Sequence, residues 1–283
     1  MCRWRPRSLL PDHSTVLGDL TADHFAERFD VYEVLGTGLV GRIHRAWDRV
    51  SQCQVAIKVL RRSFVYFPGL SGFAGAYPAA SLLRRESRLH ADFEHPGICS
   101  YLDSGDTQET PWLALEYVDG GRLSDQDLPL PVSEALHIVR EIAAALEYLH
   151  TAGYVHRDVK PSNISFRKDG RPVLMDLGLV QRTFHSPEFA VQRAMGSPGY
   201  VPPECQESTA FDIELTPRAD IFSLGRVIEW MLEGSGMRSD VRSPMPASGA
   251  AISQVIERAT RMNPDQRYPD IPALLSACEL ALG

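Results

Sequence analysis

The sequence contains little of what would assign a protein to a class at once, beginning with its cysteines. There are five, all widely spaced and with no Cys-x-x-Cys pair among them: Cys2, Cys53, Cys99, Cys205 and Cys278. An odd number without close pairs disfavours both a disulfide framework and a zinc site. Reduced thiols in a cytoplasmic protein are the simpler interpretation.

Long apolar runs and a large excess of one charge are also missing. No segment reaches the about 18–20 consecutive apolar residues that a membrane-spanning helix requires, so we expect no membrane span. The basic start, Met1 to Arg7, is not followed by an apolar region, which argues against a secretory signal. The 29 Lys+Arg and 36 Asp+Glu residues leave a net charge of −7, so nucleic acid is not an expected partner.

The composition is that of a folded protein in which strands precede helices. Apolar residues make up 44% and charged residues 23% of the 283 residues, enough for two compact units or one large one. Short β-rich runs predict strands at 31–35, 42–47, 55–60 and 112–118, with a helix at 81–93. Two more β-like runs are predicted at 164–166 and 173–175, and further helices at 220–232, 252–261 and beyond 271. This order indicates an α+β protein with a small β-rich half and a larger helical half.

The clearest helix signal starts near residue 132. Apolar residues recur there at spacings of three and four, which predicts a helix with Ser133 as N-cap that runs to about His150 and is stopped by Gly153. Residues 63–80, in contrast, are punctuated by glycine and proline and predict a long connection. Residues 177–219 predict no regular element.

Two motifs in the first half contain residues suited to binding an anionic ligand. Gly36-x-Gly38-x-x-Gly41 lies between two predicted strands, where glycines let a backbone approach phosphates closely. A dinucleotide site would need a helix after the glycines, so that class is disfavoured. Lys58, in Val-Ala-Ile-Lys on the next strand, either meets an anionic partner or extends to water.

Two further motifs lie in the second half. The segment from His156 to Asn163, His-Arg-Asp-Val-Lys-Pro-Ser-Asn, concentrates a carboxylate, a cation and an amide in one loop. Asp176-Leu-Gly178 places another carboxylate at the end of a predicted strand.

In this order, and together with the helical Glu86 and Pro202-Pro-Glu204, these motifs resemble the eukaryotic-type protein kinase family, in its bacterial (Hanks-type) serine/threonine branch. The resemblance covers about residues 31–275. It implies a bilobal fold: an N-terminal extension at 1–29, a β-rich N-lobe with one main helix at 30–118, and a mostly helical C-lobe at 119–283. The lobes would form one catalytic domain with the chemistry in the cleft between them.

The resemblance assigns the nucleotide-binding residues of the N-lobe. Gly36, Gly38 and Gly41 would cover the phosphates of ATP, and Lys58, positioned by Glu86, would hold the α- and β-phosphates. Leu115 matches the gatekeeper, and Glu116 to Val118 match the hinge that reads adenine through its backbone. The further nucleotide contacts that the resemblance implies are Ile43, Ala56, Ser165 and Asp176.

In the C-lobe the resemblance assigns catalysis to Asp158, Lys160 and Asn163, and Mg²⁺ (with Mn²⁺ as an alternative) to Asn163 and Asp176. Asp158 would orient the substrate hydroxyl and accept its proton, while Lys160 would stabilise the transferring phosphoryl group. Three supporting roles are also implied: Ser197 contacts the catalytic loop, Glu204 pairs with Arg267, and Asp220 holds the loop backbone. The implied activity is transfer of the ATP γ-phosphoryl group to Ser/Thr hydroxyls of proteins, with autophosphorylation at Thr183 or Ser186 answering Arg157.

Several departures leave a second hypothesis open. His90 stands where the family usually has an apolar side chain, Ser165 replaces an aliphatic floor under adenine, and Leu177 replaces a phenylalanine. His90, Ser165 and the short segment from Gly234 to Ala251, where the family's substrate-docking helix looks reduced, favour the alternative of a pseudokinase, a regulatory nucleotide-binding scaffold without turnover. A small-molecule phosphotransferase is disfavoured by the Pro-Pro-Glu segment. Five aromatics within 61–80 either pack on the N-lobe or form a contact for a partner or a second copy.

Overall fold

The chain folds into two compact units, Met1–Glu94 with Ser100–Val118, and His95–Cys99 with Asp119–Gly283. The computed structural model describes residues 23–38, 40–60, 64–66, 76–107, 110–183, 196–206, 215–234 and 249–282. Over these ranges, no helix combines the length and the apolar character needed to cross a membrane. The cysteines described, Cys53, Cys99, Cys205 and Cys278, are free thiols.

The first unit is built on a five-stranded antiparallel sheet. Its elements, in chain order, are α1 (Asp23–Arg28), β1 (Phe29–Thr37), β2 (Gly41–Asp48), β3 (Cys53–Leu60), β4 (Phe64–Tyr66), β5 (Ala76–Pro78), α2 (Ala79–Asp92), β6 (Tyr101–Thr107) and β7 (Thr110–Glu116). The strand order in the sheet is β1-β2-β3-β7-β6. One sheet face is closed by a cluster of buried apolar residues. In it, the rings of Phe25, Phe29 and Trp112 meet at centroid distances of 4.9–5.6 Å.

The second unit is mostly helical. Its elements are α3 (Val132–Thr151), β8 (Tyr154–Val155), β9 (Ile164–Phe166), β10 (Pro172–Leu174), β11 (Gln181–Arg182), α4 (Pro203–Gln206), α5 (Arg218–Glu233), α6 (Gly249–Ala259) and α7 (Ile271–Leu282). Three helices, α3, α5 and α6, bury apolar faces in one large core to which α7 also contributes. Two short antiparallel strand pairs, the β9–β10 hairpin and the pair β8–β11 that encloses it in sequence, flank the loops at 156–163 and 175–180.

Four local predictions were wrong or incomplete. Ser133 is not the N-cap of α3, because Pro131 takes that position and its carbonyl accepts the first bonds, from the N–H groups of Glu134 and Ala135. Strand β6 was not predicted, since its residues are largely polar. The connection at 63–80 contains the β4–β5 hairpin, and the stretch at 177–219 contains β11 and α4.

A buried carboxylate ties α1 to the turn between β2 and β3. Asp48 receives two hydrogen bonds of 3.0 Å from Arg28 and further bonds from the Ser51 hydroxyl and the Val50 N–H. Burial opposes ionisation of this carboxyl, but the bonds from Arg28, Ser51 and Val50 outweigh it and lower the pKa of Asp48 to about 2. The charged form is therefore part of the folded unit.

We expect Asp48→Asn to lower the free energy of unfolding by about 2–3 kcal/mol at neutral pH. Because the folded pKa lies below the value of about 3.9 in an unfolded chain, the wild-type advantage is complete above that value and is lost as the pH falls toward 2. Urea unfolding of both proteins between pH 7 and pH 3 measures this difference. A gap between wild type and variant that stays constant over that range would contradict the assignment.

Candidate active site

The predicted site residues divide between the two units, and the glycine-rich segment lies in the first. It is the turn of the β1–β2 hairpin, closed by a 2.8 Å hydrogen bond from the N–H of Gly38 to the carbonyl of Gly41. Gly38 is exposed, whereas Gly41 is buried against β3. A Cβ at Gly41 would lie 2.1 Å from the carbonyl oxygen of Val59, so a side chain is excluded there. Ile43, two residues on, pairs with Lys58 in the sheet register.

Lys58 and Glu86 form a closed ion pair between β3 and α2. The Lys58 Nζ donates to Glu86 Oε1 at 2.7 Å and to Oε2 at 2.8 Å. The two residues are only 6% and 2% exposed, so Lys58 has an anionic partner and does not extend to water. The sequence alone left open whether this pair forms.

The remaining nucleotide-binding candidates of this unit lie at the end of β7 and opposite it. Ala56 and Leu115 are register partners on β3 and β7. The N–H of Glu116 donates to the Ser100 carbonyl, and its carboxylate accepts from the Ser100 N–H and hydroxyl. These bonds fix the backbone from which half-buried Val118 follows.

In the second unit, the loop after β8 brings Asp158, Lys160 and Asn163 together with Ser197. Lys160 Nζ and Asn163 Nδ2 donate to Asp158 Oδ2 at 2.7 and 2.8 Å, while the Ser197 hydroxyl donates to Oδ1 at 3.1 Å. Lys160 also donates to the Ser197 oxygen at 2.5 Å. One carboxylate, one ammonium group, one amide and one hydroxyl are thus joined in a single network, and the predicted contact of Ser197 with this loop is confirmed.

Asp176 follows β10 beside that network. The N–H of Met175 donates to the Asn163 carbonyl at 2.9 Å, which brings the backbone before Asp176 up to the loop. Asp176 Oδ1 accepts from the Gly178 N–H at 2.8 Å. A second bond from Asn163 Nδ2, to the Asp158 carbonyl at 2.9 Å, uses both donors of the amide and leaves Oδ1 as its ligand atom. Asn163 and Asp176 therefore present oxygen atoms, as a hard divalent cation requires.

Asp220, at the start of α5, holds the backbone of the loop that carries Asp158, as predicted. Its carboxylate accepts the backbone N–H groups of His156 at 2.7 Å and Arg157 at 2.8 Å, where Arg157 has a φ of 72°. A third partner, His150 Nε2 at 2.8 Å, was not predicted. The apolar pattern of α3 gives no indication that the histidine near its end forms a hydrogen bond with Asp220. Burial opposes the charge, yet these bonds lower the pKa of Asp220, whereas burial lowers the pKa of His156 and keeps that ring neutral.

The predicted Glu204–Arg267 pair is confirmed. Arg267 Nη1 and Nη2 donate to the two oxygens of Glu204, both at 2.7 Å, and the Arg267 side chain is fully buried. Gln181, which sequence reasoning missed, accepts from Arg157 Nη1 at 2.8 Å.

The three departures noted in the sequence all lie inside the fold. His90 is buried in α2, Ser165 in β9 and Leu177 directly after Asp176, with exposures of 1%, 6% and 0%. The backbone of Ser165 also forms an isolated antiparallel β-bridge with Arg122.

With this geometry established, comparison with known proteins decides the family. A family model described as the protein kinase domain matches residues 29–277. The chain belongs to the protein kinase domain family. The predicted family and the α+β, kinase-like fold class are thereby confirmed. Protein kinase domains in general use ATP together with a divalent metal.

Three curated relatives of this kinase domain carry the names of bacterial serine/threonine-protein kinases. The chain is 30% identical over 273 residues to PknB of Mycobacterium leprae, covering 88% of this chain and 42% of that one. It is 29% identical over 282 residues to PksC of Streptomyces coelicolor, covering 89% and 48%. It is 25% identical to the probable PknB of Lactococcus lactis, covering 89% and 42%. The chain therefore spans less than half the length of these relatives.

Proposed function

We propose that this kinase domain is an active serine/threonine protein kinase, which transfers the γ-phosphoryl group of ATP to Ser/Thr hydroxyls of proteins. The observation that carries the proposal is the network around Asp158, in which Lys160, Asn163 and Ser197 lie within 3.1 Å of one carboxylate. A scaffold without turnover has no need of such an arrangement. Phosphoryl transfer needs these groups because its catalysis is mostly positioning and charge stabilisation.

Within the network each side chain has a separate task. The Asp158 carboxylate orients the incoming hydroxyl and accepts its proton as the new O–P bond forms and the bond to the ADP oxygen breaks. Lys160 neutralises charge on the transferring group. Ser197 restricts both side chains, since its hydroxyl bonds to each of them.

The residues present fit a divalent metal. Asn163 and Asp176 would hold it through oxygen atoms, which suits Mg²⁺, and Mn²⁺ as an alternative. When bound, the metal supplies positive charge beside the phosphates. The chain's own contribution is to orient the Asn163 amide through Asp158 and to hold Asp176 through the Gly178 N–H.

The nucleotide would be held by the first unit. Lys58, already aligned by Glu86, carries the charge for the α- and β-phosphates, and Gly36, Gly38 and Gly41 bring backbone close to them. Ile43, Ala56 and Leu115 of this unit would line the adenine site, and the role of Ser165, which lies in the second unit, stays a prediction. At the hinge, the N–H of Glu116 already donates to the Ser100 carbonyl, so Glu116 would contact adenine through its own carbonyl. Val118 would supply the next backbone group for adenine.

The test is transfer of label from γ-labelled ATP to a protein substrate and to the chain itself. We expect transfer with Mg²⁺, none with excess chelator, and recovery when Mg²⁺ or Mn²⁺ is added back. The pseudokinase alternative is favoured by buried His90 and Ser165, and it predicts ATP binding without transfer. Tight binding with no labelled product, at any metal concentration, would establish that alternative instead.

We expect autophosphorylation of Thr183 or Ser186. Thr183 is tied to Gly153 by its backbone N–H, and Ser186 lies outside the described residues. Arg157 Nη1 donates to Gln181, and a phosphate on this segment would make a charge-assisted hydrogen bond with the guanidinium. Phosphopeptide mass spectrometry after incubation with ATP checks this, and both sites bare in protein that phosphorylates a substrate would refute it.

The predicted substrates are proteins bearing Ser or Thr. The predicted partner surface at 61–80 stays a prediction, because most of that segment lies outside the described residues. The N-terminal extension at 1–29, the N-lobe at 30–118 and the C-lobe at 119–283 remain our proposed division. We also propose a cytoplasmic location, because the reaction draws on ATP and the described cysteines are free thiols.

A further inference from the structure

Helix α5 holds a second segment besides the loop anchored by Asp220. Ser223 Oγ donates to the carbonyl of Tyr200 at 2.8 Å, and Arg226 Nε donates to the carbonyl of Gly199 at 3.1 Å. Side chains three residues apart are neighbours on a helix surface, so positions 220, 223 and 226 form one stripe along α5. The loop with Asp158 and the segment 199–200 are therefore fixed to a common support.

Arg226 is itself fixed by a neighbour one turn further. Its Nη1 is ion-paired and hydrogen-bonded with Glu229, and the two side chains are only 19% and 14% exposed. Because the guanidinium is rigid and planar, the bond from Nη1 to Glu229 also determines the direction in which Nε donates. Its charge also strengthens the bond to the Gly199 carbonyl relative to a neutral donor.

The carbonyl of Gly199 belongs to the tight turn at 197–201. The N–H groups of Tyr200 and Val201 both donate to the carbonyl of Ser197, at 3.0 and 3.2 Å, and Gly199 has a φ of 85°. A carbonyl orientation at this glycine is easily lost without a donor, because glycine has wide conformational freedom. The turn carries the Ser197 hydroxyl that touches Asp158 and Lys160.

We propose that Arg226 is a positioning residue for the substrate side of the reaction. By holding the Gly199 carbonyl it sets the turn 197–201 and, through Ser197, the geometry of Asp158 and Lys160. The inference rests on the proposed function and adds to it a determinant of protein-substrate use that is separate from nucleotide binding. The nucleotide candidates Lys58, Glu86 and the glycine-rich turn belong to the other unit.

The test is steady-state kinetics of Arg226→Met with a protein substrate. We expect kcat/KM for that substrate to fall about tenfold or more, because a misplaced catalytic contact lowers the rate of the chemical step. The KM for ATP should stay within about twofold of the wild-type value. Arg226→Lys, which keeps a charged donor but not the fork, should recover part of the loss. Arg261→Met is the matched control: Arg261 also pairs with a nearby glutamate, Glu257 four residues before it, but both side chains are exposed.

A cycle with Ser197→Ala separates positioning from a merely structural role. If Arg226 acts through Ser197, Arg226→Met should cost little more once the hydroxyl is gone, so the two effects are not additive. Full additivity, an equal rise in KM for ATP, or an unchanged kcat/KM would overturn the proposal. Should Arg226→Met fail to fold by circular dichroism, Arg226→Gln, too short to reach Gly199, supplies the same comparison. Wild-type protein that transfers no label would overturn the proposed function itself, and this inference with it.

Discussion

Asp158→Asn should lower the rate of label transfer by about 10²–10⁴-fold at saturating ATP and protein substrate, the usual contribution of a general base. The asparagine has the same shape and still offers one oxygen to Lys160 and Asn163, but it cannot take the proton of the substrate hydroxyl. Since those two donors already bond to Asp158 at 2.7 and 2.8 Å, the loop should keep its conformation. The loss should therefore appear in kcat with little change in KM for ATP.

A matched control for this variant is Asp169→Asn. Asp169 is also in a loop of the second unit and bonds to Arg171, but it is half-exposed in the turn between β9 and β10. We expect it to leave transfer unchanged. A rate for Asp158→Asn above about one tenth of the wild-type rate would show that Asp158 is not the base.

Arg267→Met should lower the free energy of unfolding by about 3–5 kcal/mol, the cost of removing one partner from a buried ion pair. Besides the two bonds to Glu204, Arg267 donates to the backbone carbonyls of Arg218, Arg261 and Met262. Methionine fills the volume but leaves three carbonyls and a carboxylate without this donor. Urea unfolding followed by circular dichroism measures the loss.

Arg267→Lys should fall between the wild type and the methionine variant, because an ammonium group keeps the charge without the planar fork that matches Glu204. Arg140→Met is the control, since Arg140 forms an exposed pair with Glu279. Its expected cost is within about 1 kcal/mol. Equal losses for Arg267→Met and Arg140→Met would contradict a structural role for the buried pair.

The family could be predicted because the motifs occur in the order typical of it. Most strands and helices could be predicted because their apolar residues recur with the period of a strand or a helix. Without the family resemblance the sequence could not place Lys58 beside Glu86, since they are 28 residues apart and the contact depends on where α2 lies. It also missed β6, whose run Asp103-Ser-Gly-Asp106 has no β-like pattern. That strand exists because it pairs with β7, where Gly105 leaves room for the ring of Trp112.

The supporting contacts were harder to predict than the motif residues themselves. The Asp220 and Glu204 partners followed from the family pattern, but His150, Gln181 and Arg226 did not. Each of these three makes a hydrogen bond to a residue at least 24 positions away, and an isolated polar residue on a helix or strand gives no sign of such a partner. Tertiary packing alone determines which polar group it meets.

The three glycines of the β1–β2 turn will not be equally informative in mutagenesis. A side chain at Gly41 collides with the backbone of Val59, so Gly41→Ala would displace β3, the strand that carries Lys58. Loss of ATP binding in that variant would report on the sheet and not on the phosphates. Gly38, whose Cβ would meet, among the residues that the structure describes, only the Gly41 carbonyl at 3.8 Å, is the position where alanine leaves the framework in place. A scan of this turn should therefore be interpreted from Gly38 outward.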